Sequence, residues 1–254
     1  MQRVTREDPA AVHSVLAAID LLDCFAEQEE LGVSQIARQL GVAKSTAHRL
    51  VSTLCARGVA ERNPATGQYR LGLHLFELGQ LAQSRAPLRR AALPLLEDLR
   101  MATGQTAHLS VTDGPDVVFL ERLHTLRGIP LLGDRCRRVP IHTTSAGKVM
   151  AAFDPNVARA RETAGLPAFT EATVTDPRAW ERLLEDVRRK GYAYSNNENF
   201  NGLASVAAPV RDSTGRARAA VSVAGPSSAF EGCVERVARV VIITANKLAH
   251  RLAW

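Results

Sequence analysis

The sequence predicts an α+β chain in two parts joined by a helix. Three observations carry that reading. The first 60 residues hold their apolar side chains at helical spacing and run into a short basic hairpin. A dozen residues from Leu73 then carry an apolar stripe that ends before Pro87. Beyond residue 105 the period switches towards strands, with two strong hairpin signals and helical stretches between and after them. The parts fall at 1–72, a linker helix at 73–86, and a larger domain at 87–254.

In order, residues 14–28 place Val15, Leu16, Ile19, Leu22 and Phe25 on one helical face. Ser34 is positioned to cap a short helix carrying Ile36, Ala37 and Leu40. Gly41 then supplies a turn without side-chain penalty. A longer helix begins near Lys44, carries Ala47, Leu50, Val51 and Leu54, and ends by Gly58. Short helix, glycine turn and longer helix make a helix-turn-helix. Its first exposed turns offer Lys44, Ser45, Thr46, His48 and Arg49. Arginine bonds guanine bidentately, and serine and threonine reach phosphates or bases. Strands at 59–62 and 68–71 flank a Pro-Ala-Thr-Gly turn and put Arg62 and Arg70 on a wing, placed for the DNA backbone.

Charge agrees. The chain carries +6 net, and residues 41–90 alone hold eight Lys and Arg against two Asp and Glu. A basic window of that kind suits a polyanion.

The second domain opens with a hairpin around Asp113-Gly114 and closes with another around 212–215. Between them a strand at 139–142 leads to a helix at 144–152, and a second helix covers 177–190. A long amphipathic helix runs from Phe230 to Leu252. Hairpins interleaved with helices predict helices layered on one antiparallel sheet.

Composition excludes several classes. With 46% hydrophobic and 23% charged residues the chain is ordinary for a globular protein. No stretch approaches 18 apolar residues, the N-terminus has no apolar run, and a cytoplasmic location is expected. Cys24, Cys55, Cys136 and Cys233 form neither a disulfide framework nor a metal spacing, so neither metal nor cofactor is expected. Ser145 and Lys148 match an S-x-x-K pair, which leaves a hydrolase or transferase as the alternative function. Isolated histidines such as His108 and His142 read as structural residues. The backbone amides at the start of the 144–152 helix make an anion site the stronger idea.

Three segments together resemble one family over nearly the whole length. They are GVSQIARQLGVAKSTAHRLVSTLCARG followed by TGQYRLG, then IHTTSAGKVMAA, then GYAYSNNENFNGLASVAAPVRDSTGRARAAVSVAGP. The chain resembles the IclR family of bacterial transcriptional regulators. That resemblance implies a GAF-like effector domain, operator DNA as partner, and a homodimer that often pairs into a tetramer. It implies a small organic acid as effector, its carboxylate held by the amides of Ser145 and Ala146. An apolar wall falls on Leu131, Val139 and Leu203, and a polar floor on Ser205 and Ser222. Two positions depart from the family. Ser195 stands where an acidic residue is usual, and Ala224 stands where a keto-acid sensor has a hydroxyl. Both departures favour an aromatic or apolar carboxylate as the effector.

Overall fold

The structure is a computed structural model and describes residues 12–26, 28–84, 87–125 and 138–252. Contacts divide the chain into two compact units that part between residues 86 and 87.

In the first unit, α1 (His13–Asp23), α2 (Val33–Leu40) and α3 (Lys44–Ala56) precede β1 (Ala60–Arg62), β2 (Tyr69–Leu71) and α4 (Leu73–Ser84). Leu21, Leu31, Ile36, Ala47 and Val51 are sealed in its core, with Val42 and Leu50 packed against it. The predicted helix-turn-helix stands, but its cap differs. Gly32 occupies the cap of α2, and its N–H donates to Gln35 Oε1 at 2.9 Å. Ser34 is therefore inside the helix and exposed rather than capping it. Gly41 ends α2 in the left-handed region, at φ 65°. That conformation is cheap only for glycine, and it turns the chain into α3.

The second unit runs through α5 (Pro87–Thr103), β3 (Thr106–Asp113), β4 (Asp116–Leu123) and β5 (Arg138–Pro140). It continues through α6 (Ser145–Phe153), α7 (Pro155–Thr163), α8 (Pro177–Lys190) and β6 (Ala193–Asn196), then β7 (Leu203–Arg211), β8 (Ala217–Pro226) and α9 (Val234–Arg251). One six-stranded antiparallel sheet has the order β5-β4-β3-β8-β7-β6. Its two faces bury different things. Leu109, Val206, Val221 and Val223 pack with α5 and α9 in one core. Val117, Phe119, Ala207 and Ala220 belong to a second core with α6, α7 and α8. Side chains alternate across a strand, so His108 and Ser110 share that second face while Leu109 between them joins the first.

Three sequence expectations shift. The strand expected at 139–142 stops at Pro140, and Ile141–Thr143 form a 3₁₀ turn braced by Thr143 Oγ1 donating to Pro140 O at 2.9 Å. The last helix starts at Val234 rather than Phe230, because Gly232 takes φ 66° and breaks the preceding 3₁₀ turn Ser227–Phe230 away from α9. Helix α7 was not anticipated, although Asp154 before Pro155 is a start signal; its side chain accepts from Asn156 N at 3.0 Å. No helix among the described residues is long and apolar enough to cross a membrane.

Candidate DNA-binding face and ligand pocket

On α3, burial of Ala47 and Val51 turns the opposite side outward. Lys44, Ser45, His48 and Arg49 are exposed, and Thr46 is half-buried. The five sequence-predicted residues thus share the N-terminal half of one helix, with Ser34 exposed on α2. On the wing, β1 and β2 pair with Glu61 opposite Arg70. Arg62 and Arg70 are exposed, yet each already has a partner within the hairpin. Arg62 Nε donates to Gly67 O at 3.1 Å, and Arg70 Nε meets Glu61 Oε1 at 2.5 Å. Sequence reasoning missed Glu30. Its carboxylate accepts from Asn63 Nδ2 at 2.6 Å and Thr66 Oγ1 at 2.8 Å and so anchors the wing turn. Those two bonds hold its pKa below the ordinary glutamate value. The contact spans more than 30 residues and leaves no local sequence signal.

The pocket lies between α6 and the second face of the sheet. It encloses about 460 Å³, counting its open mouth. Val139, Ser145, Ala146, Ser195, Leu203, Ser205, Ser222 and Ala224 all line it, so eight of the nine effector positions meet in one cavity. Leu131 lies outside the described residues. His108, Phe119, Thr143, Thr144 and Asn199 complete the wall.

Local chemistry explains the arrangement. Thr144 caps α6, its Oγ1 accepting from Gly147 N at 3.0 Å. The first-turn amides of Ser145 and Ala146 have no acceptor within the helix. Gly147 permits the close approach of this turn to the chain before it. A Cβ there would stand 2.1 Å from Ile141 O. Most pocket hydroxyls are already engaged. Ser145 Oγ donates to Ser205 Oγ at 2.8 Å, and Ser195 Oγ donates to Thr143 O at 3.0 Å. What they turn inward is largely carbon, beside Phe119, Val139, Leu203 and Ala224.

Behind the pocket, Lys148 is fully buried on α6. Its Nζ forms an ion pair with Glu198 and donates to Tyr194 O at 3.2 Å. Burial lowers the lysine pKa, and Glu198 opposes that shift. The expected Ser145/Lys148 pair is not formed: the serine bonds to Ser205 and the lysine to Glu198. His142 keeps its structural reading, with Nε2 2.9 Å from Pro167 O. His108 lines the cavity.

A winged helix-turn-helix in one unit and a small-molecule pocket in the other define a ligand-binding transcriptional regulator. The family model described as bacterial transcriptional regulator IclR C-terminal matches residues 80–250, and the IclR helix-turn-helix domain matches residues 14–64. The chain belongs to the IclR family. It is 34% identical to the HTH-type transcriptional regulator BhcR of Paracoccus denitrificans, over 97% of this chain and 90% of that one. It is 36% identical to the glycerol operon regulatory protein of Streptomyces coelicolor, over 90% and 87% respectively. Among solved structures, an IclR regulator from Alicyclobacillus acidocaldarius superposes with a TM-score of 0.84 at 28% identity, covering 94% of this chain and 98% of that one. An IclR homologue from Microbacterium hydrocarbonoxydans, complexed with 4-hydroxybenzoate, does so with a TM-score of 0.82 at 29% identity, covering 94% and 98%. These relatives are transcriptional regulators, and the hydrolase or transferase alternative falls with the pair it required.

Proposed function

We propose that this regulator binds operator DNA as a homodimer and answers to an aromatic or otherwise apolar carboxylate. One observation carries the effector class. In the pocket, two unengaged helix-start amides sit beside a wall whose hydroxyls are largely engaged with the protein. Such amides favour an anion. The wall rewards carbon at about 25 cal/mol per Å² removed from water. A small keto acid would leave most of that surface unused. The 4-hydroxybenzoate bound by the Microbacterium relative supports the same reading.

On the DNA side, Lys44, Ser45, Thr46, His48 and Arg49 enter the major groove. Ser34, Arg62 and Arg70 contact the backbone. The unit before residue 87 reads DNA, and the unit after it senses the ligand. Dimerisation uses the apolar residues that the first unit leaves outside. Val15 and Ile19 on α1, and Leu73, Phe76 and Leu78 on α4, are all exposed. Pairing of the C-terminal units into a tetramer follows the family pattern.

Calorimetric titration of the full chain with benzoate, glyoxylate and pyruvate tests the effector. Benzoate is expected to bind, and to shift the chain's affinity for its own upstream DNA in a gel-shift assay. Tighter binding of either keto acid overturns the effector class.

A further inference from the structure

The pocket holds one side chain whose chemistry the anion site and apolar wall leave unused. His108 sits on β3, 3% exposed, and lines the cavity. Neither ring nitrogen has a hydrogen-bond partner among the described residues. The nitrogens of His108 are not among the fully sealed unpartnered atoms of the described residues, so they are reachable from the cavity the ring lines. The ring of His108 packs against Phe119, centroids 4.9 Å apart and planes tilted by 45°.

Its position relative to the anion site is set by the sheet. Ser145 at the start of α6 bonds to Ser205 on β7. His108 pairs with Ser222 on β8, which in turn pairs with Ala207 on β7. Two strand spacings therefore separate β7 from β3, roughly 10 Å. A ligand anchored by its carboxylate at α6 brings its far end towards His108.

We infer that His108 is a specificity-determining residue that hydrogen-bonds a hydroxyl carried on the far side of an aromatic carboxylate. The inference rests on the effector class proposed above and narrows it to hydroxylated aromatic acids. Burial lowers the pKa of His108 to about 3, with Arg122 and His124 adding to the effect. At neutral pH the imidazole is uncharged, with one N–H donor and one lone-pair nitrogen. A phenolic hydroxyl both donates and accepts, so it satisfies whichever nitrogen faces it. A plain benzoate leaves the imidazole orphaned.

The test is calorimetric titration of the full chain with benzoate, 3-hydroxybenzoate and 4-hydroxybenzoate, on wild type, His108→Phe and His108→Ala. Operator binding and thermal unfolding report whether each variant is folded. One hydroxybenzoate is expected to bind wild type roughly three- to tenfold tighter than benzoate does. Both variants are expected to lose that preference, with His108→Phe still binding benzoate. In wild type, the ¹⁵N resonances of the His108 ring are expected to shift with the preferred hydroxybenzoate and much less with benzoate. This readout stands even where neither variant folds. Equal binding of all three acids by wild type, a preference that survives in a folded variant, or unmoved His108 resonances overturns this inference and leaves the effector class intact. No binding of any of the three, with operator binding unimpaired, overturns both.

Discussion

Arg49 and Arg62 are both exposed arginines of the same unit, and their surroundings separate their work. Arg49 stands exposed on α3 beside Ser45 and His48, with no ion pair among the described residues. Arg62 is spent in part on bracing the wing through Gly67 O. Arg49→Ala is therefore expected to cost about 1–3 kcal/mol for the operator and to flatten discrimination at one base pair. Arg62→Ala is expected to weaken all sequences alike and to reduce the salt slope by about one. Gel shifts across salt concentrations and single-base operator variants distinguish the two. His108 gives a second expectation at this scale. Its proton is refused by the folded state down to about pH 3, whereas the unfolded imidazole accepts one near 6.5. Its contribution to stability is complete above pH 6.5 and is lost as pH falls from there towards 3. Between pH 7.5 and 5.5 that loss is on the order of 1 kcal/mol. Urea unfolding at the two pH values is expected to show a steeper decline for wild type than for His108→Gln; equal declines would refute the assignment. The sequence concealed this residue for a physical reason. Thr106, His108 and Ser110 alternate with Ala107 and Leu109, and in a strand that alternation reads as one dry face and one wet one. Here both faces are covered.

At the scale of elements, α6 concentrates the consequences. Its start depends on Gly147 lying against Ile141 and on Thr144 capping, and its middle on the buried ion pair of Lys148 with Glu198. Gly147→Ala drives a methyl into a backbone oxygen. It is expected to abolish effector binding and to destabilise the C-terminal unit by about 1–3 kcal/mol or more. Lys148→Met alone strands a buried carboxylate and is expected to cost about 3–5 kcal/mol. Lys148→Met combined with Glu198→Leu is expected to recover most of it, since neither charge remains unpaired. Denaturant unfolding of the two single variants and the double variant checks this. Helices and hairpins were legible in the sequence because period, glycine and proline report local geometry. The bounds of α8 match the expected 177–190, since Asp176, Pro177 and Gly191 mark both ends. The pairing of Lys148 with a residue fifty positions away was not legible, since nothing local distinguishes a buried lysine from an exposed one. The S-x-x-K match even pointed it at the wrong partner. The pocket hydroxyls were reached through resemblance to a family, and their engagement with one another emerged only in three dimensions.

For the molecule as a whole, two units divide reading and sensing, and the exposed apolar side chains of α1 and α4 belong to the first. These side chains belong neither to the α3 face nor to the pocket lining. Phe76→Glu with Leu78→Lys is expected to convert the proposed dimer to monomers in light scattering. It is also expected to lower operator affinity by far more than affinity for a half-site, because two reading heads no longer bind as one. The effector affinity of the C-terminal unit is expected to stay within twofold. Retention of the dimer in that variant would move the interface elsewhere.

The central strands of the sheet carry one further consequence. On β3 and β8, His108 and Ser222 face the cavity, while Leu109, Val221 and Val223 beside them hold the opposite core together. Chemical choice and mechanical support are thus written on alternate letters of the same strands. A lineage can rewrite every second letter and come to respond to a different metabolite, while the intervening letters go on specifying the same architecture. Divergence of the signal needs no divergence of the scaffold.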